Sequence, residues 1–339
     1  TPYTYRNPFD EDNPENLSKK CIQSLEALIA SQGSDTIAAF VMEPVIGSGG
    51  VIVPHDNFMK QVRNICDKND ILLVADEVIC AFGRTGEWTG SRLWGVKPDV
   101  MTIAKALTGG YFPMGATLLS GEISEAIEKN DNTLGLLGHG YTNSGNPVGA
   151  AAALAALEET NKLNLASNAK ARGAELILGL NKLKNKHEII GDVRGKGLMA
   201  AVEIVEDPIS KKPAGKDTVA KIFQAICDEG VLLRASGNNF IISPSLIINK
   251  DHVNKITTAM DKGFWEHPIS VWDDQCGVGL RGYYVASVLG APMMVRQGSG
   301  LIVNISSRGG REYVFSASYG VGKAGVDRMA QDFAVELKE

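Results

Sequence analysis

A chain of 339 residues, 44% hydrophobic and 22% charged, has the balance of a globular protein with length enough for two domains. Its formal net charge of -5 gives neither nucleic acid nor an anionic membrane an electrostatic reason to bind, so a small-molecule substrate is the expected partner. The longest uninterrupted apolar stretch, Gly149 to Leu157, is far shorter than the roughly 20 residues of a spanning helix, and TPYTYRNPFDEDNP lacks a secretory pattern. The five cysteines, Cys21, Cys66, Cys80, Cys227 and Cys276, are odd in number and never form C-x-x-C. They argue against a disulfide framework or a zinc site, so no metal is expected and the cytoplasm is the expected compartment. The first residue is Thr1, which suggests a start inside a longer chain.

In chain order, residues 17 to 33 read as an amphipathic helix stopped by Gly33, and TIAAFVMEP as a short buried strand ending at Glu43 and Pro44. A helix from about Asp56 to Asp70 precedes the strand ILLVA, Ile71 to Ala75, and a further apolar run, DVMTIA, spans Asp99 to Ala104. Strands alternating with helices imply a parallel α/β sheet. From Pro147 an Ala-rich helix begins, and beyond it helices alternate with the short strands GLMAAVEIV and FIISPSLII as a second, smaller α/β domain. Near residue 263 a fresh run of helix and strand starts, and a boundary is expected there.

In an open parallel sheet, ligands bind at the carboxyl ends of the strands, where Asp76 follows ILLVA and Lys105 follows VMTIA. A carboxylate to keep a pyridine nitrogen protonated and an amine to form an aldimine are what pyridoxal phosphate requires. Spacing alone leaves open that Asp76 caps a helix and Lys105 is a solvated side chain.

The surrounding segments are more specific. ADEVICAFGRTGEWTG, Ala75 to Gly90, and PDVMTIAKALTGGYFPMGA, Pro98 to Ala116, closely resemble the class III aminotransferases. PYTYRNPFD and HGYTNSGNPVGAAAALAALE carry the same likeness, which runs from Thr1 to about residue 262.

The resemblance implies a fold-type-I pyridoxal-phosphate enzyme. Lys105 would form the internal aldimine, Asp76 would pair with the pyridine nitrogen, Val78 would pack on the ring, and Glu43 would support Asp76. Thr142 would donate to the cofactor phosphate of a neighbouring subunit, so a homodimer is implied, and Arg234 would bind a substrate carboxylate. A guanidinium suits a carboxylate because its fork matches bidentately. Thr142 as a turn residue, Arg234 as a surface ion pair and Val78 as a core residue are the plainer alternatives. Ser245 replaces the second proline of the family's usual pair. The family's N-terminal portion, with its phosphate loop and a covering aromatic, does not precede Thr1.

The tail carries a second likeness. GLRGYYVASVLGAPMMV, GLIVNISSRGG and SYGVGKAGVDRMA resemble the short-chain dehydrogenases, with Tyr319 and Lys323 one helical turn apart and Ser306 as the carbonyl-orienting serine, Ser307 being spaced less well. That family's dinucleotide-binding half is absent from the sequence. Gly277 to Gly282 spell G-x-G-x-x-G without a preceding strand or a following acidic residue, so NAD(P) is not expected. Gly195 to Ala200 fails too, because a strand follows it. No phosphate loop of the G-x-x-x-x-G-K-[ST] kind exists, which removes Asp76 and Glu77 as a nucleotidase's magnesium pair.

The expected organisation is residues 1–158 as a PLP-binding large-domain portion, 159–262 as a small α/β domain and 263–339 as a partial Rossmann-like fragment. The expected function is transfer of an amino group between an amine or amino acid and a keto acid such as pyruvate. A short-chain oxidoreductase and a non-catalytic chimeric or decayed product are the other readings.

Overall fold

The computed structural model describes residues 1–129, 139–261, 280–299, 302, 304, 306 and 317–337, with only the backbone at 317–322 and 336. The first helix, α1 (Pro14–Gln32), begins where the Asn13 side chain accepts from the Asn16 N–H at 3.0 Å, and Pro14 supplies a helix-ready φ. Cap and proline thus extend it back from the expected start at 17. It stops at Gly33, whose φ of 84° turns the chain while its N–H reaches the Ile29 carbonyl.

Strand β1 (Ala39–Met42), helix α2 (Phe58–Lys68), strand β2 (Leu72–Asp76), the short helix α3 (Gly90–Leu93), and strands β3 (Val100–Ile103) and β4 (Ala116–Leu119) follow. They form a sheet in the order β1-β2-β3-β4, parallel across the first three strands as the alternation of elements implied. β4 runs antiparallel to β3 and was not foreseen.

After α4 (Gly121–Lys129) come the Ala-rich α5 (Pro147–Lys162) and α6 (Leu165–Lys186). Asn146 caps α5 by accepting from the N–H groups of Val148 and Gly149. Strands β5 (Ile190–Lys196), β6 (Met199–Asp207), β7 (Lys212–Pro213), β8 (Arg234–Ser236) and β9 (Asn239–Ile242) make an antiparallel sheet in the order β5-β6-β9-β8, with β7 on β6. The strand read in FIISPSLII ends at Ile242, since Pro244 has no N–H to give a ladder. Helices α7 (Lys216–Asp228), α8 (Lys250–Asp261), α9 (Arg281–Gln297) and α10 (Ala317–Glu336) complete the described elements.

The chain divides into two compact units: Thr1–Pro213 with Arg234–Asn254, and Ala214–Leu233 with Lys255–Glu339. The expected boundary near residue 263 lies outside the described residues. No helix among the described residues is long and apolar enough to cross a membrane.

In the first unit a shared core joins the two sheets. Leu73 and Ala75 of β2, Met59 and Val62 of α2, and Val45 and Val51 pack with Met199, Ala201 and Ile241. Arg84, in the loop after β2, ties the same sheets together through its guanidinium, which donates to the carbonyls of Leu198 at 2.8 Å and Pro244 at 2.6 Å. Burial pushes its pKa down to about 10, so the guanidinium is still charged at neutral pH.

A second polar knot sits on β6. Glu203, 2% exposed, accepts from the Tyr3 hydroxyl at 2.7 Å, Arg6 Nε at 2.6 Å and Arg194 Nη1 at 3.3 Å. Arg194 also donates to Asp192 at 2.9 Å, Asn239 at 2.6 Å and the Gly50 carbonyl at 2.8 Å. Burial acts to raise the Glu203 pKa, but the Tyr3 and Arg6 hydrogen bonds and the charges of Arg6 and Arg194 outweigh it and hold it below the usual value.

A folded pKa below the unfolded one means that Glu203 stabilises above about pH 4.3, its unfolded value, and loses that contribution as pH falls through the folded pKa. Urea unfolding across the acid range should therefore show stability falling below about pH 4, and Glu203→Gln should flatten that limb while costing about 3 kcal/mol at neutral pH. An unaltered acid limb in the variant would refute the assignment. At Gly197, φ is 57° and a Cβ would stand 2.5 Å from the Arg84 carbonyl oxygen and 2.6 Å from the Gly86 nitrogen. Gly197→Ala should lower stability by about 3 kcal/mol with an unchanged denaturant slope.

Candidate active site

The register of the parallel strands decides which side chains share an edge. Met42 pairs with Ala75 and Asp76 with Thr102, so Glu43, Asp76 and Lys105 leave three neighbouring strands at the same carboxyl end. Alternation then sorts the faces. Ala75 and Ile103, at 0% and 8% exposure, belong to the buried face, while the half-buried Asp76 and Thr102 are neighbours on the other.

Asp76 is held by one oxygen. Its Oδ1 accepts from the Val78 N–H at 3.1 Å and from the Thr102 hydroxyl at 3.2 Å. Its Oδ2 has no hydrogen-bond partner among the described residues. Lys105 opens a short 3-10 turn, Lys105–Thr108, with φ at 50°. A left-handed conformation costs a lysine about 1–2 kcal/mol, and such strain is retained where the surroundings enforce it, often at functional sites. The Lys105 side chain is exposed and has no ion-pair partner among the described residues.

Glu77, beside Asp76, is fully buried. Its carboxylate accepts from the backbone N–H of Gly90 at 2.8 Å and of Ser91 at 2.6 Å, and from the Ser91 hydroxyl at 2.6 Å. Burial raises its pKa, the hydrogen bonds from Ser91 and Gly90 counter that, and the charge of Asp76 adds to the rise. Glu77 thereby closes the N-terminal end of α3 against the end of β2.

The other expected residues divide. Glu43 is half-buried, and its Oε2 accepts from the Gly47 N–H at 2.8 Å, so this bond holds its own loop. Val78 is half-buried beside Asp76. Thr142 is exposed on a turn closed by Ser144 N–H to the Tyr141 carbonyl at 2.8 Å. Arg234 is exposed at the start of β8, an edge strand of the second sheet, where it pairs with Ile241. In the other unit, Tyr319 and Lys323 lie on α10, and the Tyr319 side chain is outside the described residues. Ser306 Oγ is 3.4 Å from the Lys323 carbonyl, and the Lys323 ammonium sits 5.4 Å from the Tyr283 ring centroid. Ser307 and Gly277 also fall outside the described residues. No group of residues that could hold a metal occurs among the described ones.

A lysine and a carboxylate thus stand at adjacent strand ends of a parallel sheet. Residues 1–264 match the aminotransferase class-III family model, and residues 253–339 match that of the short chain dehydrogenases. A putrescine–pyruvate aminotransferase of Pseudomonas aeruginosa is 37% identical over 262 residues, covering 77% of this chain and 56% of the relative. A probable mitochondrial gamma-aminobutyrate transaminase 3 of Oryza sativa subsp. indica is 37% identical over 257 residues, 75% of this chain and 50% of the relative. A PLP-bound amine transaminase from an uncultivated Pseudomonas species superposes with a TM-score of 0.75 at 41% identity, over 79% of this chain and 61% of that one. The chain belongs to the class III aminotransferase family, with a short-chain-dehydrogenase match in its tail. It spans about half the length of the curated relatives it matches.

Sequence reading missed Glu77 and Thr102 as parts of this edge, and gave no role to Arg84. Thr102 becomes significant only once the β2–β3 register is known. Removing the Glu77 carboxylate leaves three buried donors without their acceptor, so Glu77→Ala should cost about 3 kcal/mol and lower the melting temperature, with Glu77→Gln costing less. Equal stability of all three proteins would show that these bonds are replaced by water.

Proposed function

We propose that this chain takes part in pyridoxal-phosphate-dependent amino transfer between an amine or amino acid and a keto acid such as pyruvate. The observation that carries the proposal is the placement of Lys105, at φ 50° and without an ion-pair partner among the described residues, at the same sheet edge as Asp76, whose Oδ2 has no hydrogen-bond partner among them. The residues present fit the cofactor: Asp76 can keep a ring nitrogen protonated, and Lys105 offers an amine to a carbonyl carbon. When bound, pyridoxal phosphate supplies the electron sink that stabilises a carbanion next to nitrogen.

The chain's own groups do the rest. Val78, beside Asp76, packs against the ring face, and Glu43 steadies the loop on the other flank of Asp76. Thr142 serves the cofactor phosphate of a second subunit, which makes the working form a homodimer, and Arg234 receives the substrate carboxylate through its fork. Lys105 would hold the cofactor's carbonyl carbon and, as a free amine, would move a proton at the substrate carbon next to nitrogen. In this reading residues 1–158 hold the cofactor, 159–262 form the small domain and 263–339 a dehydrogenase-like fragment, in a cytoplasmic protein.

Titration with pyridoxal 5′-phosphate should give the purified chain a visible absorbance that Lys105→Ala abolishes while its circular dichroism stays unchanged. Absorbance that persists in Lys105→Ala, or that never forms with the unmodified chain, overturns the proposal.

A further inference from the structure

Asp76 is the carboxylate on which the proposed cofactor chemistry turns, yet an aspartate side chain has two rotatable bonds and two equivalent oxygens. Something must decide which oxygen faces the crevice. Two donors converge on Oδ1 alone: the Val78 N–H at 3.1 Å and the Thr102 hydroxyl at 3.2 Å. Neither approaches from the same element. Val78 lies in the turn after β2, and Thr102 comes from the neighbouring strand, directly beside Asp76 in the parallel register. Thr102 is itself fixed, because its carbonyl accepts from the Glu77 N–H at 2.9 Å, a bond that locks the two strand ends together.

A β-branched side chain at that position is also stiff about χ1, so its hydroxyl is presented in few directions. Valine would fill the same volume without the donor, and serine would keep the donor without the branch.

We propose that Thr102 is a positioning residue that sets the orientation of the Asp76 carboxylate, committing Oδ1 to the protein and leaving Oδ2 for a protonated nitrogen. The consequence for function rests on the reading of Asp76 as the cofactor's partner; the positioning itself does not. With Oδ1 accepting two hydrogen bonds, the carboxylate is pre-organised, and a ligand nitrogen meets its acceptor without first freezing a rotor. With the hydroxyl removed, the Val78 N–H alone holds Oδ1 and the carboxylate rotates.

The test separates these two levels. Amide hydrogen exchange of the cofactor-free full chain is compared among the unmodified protein, Thr102→Val and Thr102→Ser. The expected result is exchange at the Val78 amide about tenfold faster in Thr102→Val, the order expected for loss of one charge-assisted bond, with restoration in Thr102→Ser. The Glu77 amide, bonded to the Thr102 backbone, should not change. Equal exchange at Val78 in all three proteins overturns the proposal, and so does uniform acceleration across β2 and β3, which would mark a purely structural role. Binding of pyridoxal 5′-phosphate is measured separately on the same proteins, with about tenfold weaker affinity expected in Thr102→Val and recovery in Thr102→Ser. No cofactor binding by any of them, with the exchange pattern intact, would count against the proposed function and leave the positioning role standing.

Discussion

The pairing of β2 with β3 is the constraint on which the site depends. Parallel strands in the register Asp76 to Thr102 leave the sheet together, so two apolar runs that bury Leu73, Ala75 and Ile103 deliver polar residues to one edge. A slip of β2 by one residue would turn Asp76 into the core beside Met42 and put Leu73 and Ala75 on the other face. The hydrophobic core thus fixes the placement: the energy that seats Leu73 and Ala75 also sets Asp76 on the opposite face at the carboxyl edge of the sheet. Arg84 and Gly197 extend that control to the second sheet by tying the loop after β2 to the β5–β6 turn.

Much of this was legible from the chain. Period and length sufficed for the buried strands of the first sheet, since continuous apolar runs bounded by charged residues have few other folded uses. Asp76 and Lys105 were readable because each stands immediately after such a run. The antiparallel β4 was not, because antiparallel return depends on the turn from Gly109 to Gly115, whereas the Asn13–Pro14 start of α1 was a readable signal that the expected start at 17 passed over. Long-range polar pairings are the least legible of all. Tyr3 and Glu203 lie 200 positions apart, and nothing local to either announces the other.

The adjacent carboxylates Asp76 and Glu77 show how a strand end gives like charges different tasks. Alternation sends them to opposite sides, where their surroundings diverge. Glu77 is sealed among three donors at the end of a short helix, so burial and the neighbouring charge make its ionised form costly and its role is to fasten backbone. Asp76 keeps one oxygen on the protein and one open. Repulsion between the two favours an arrangement in which the open oxygen of Asp76 meets a cation, because only a positive partner lowers the energy of both carboxylates at once. Under the proposed function a protonated ring nitrogen would meet that requirement, and the buried Glu77 would favour it over a neutral one at the half-buried Asp76 without touching the ligand.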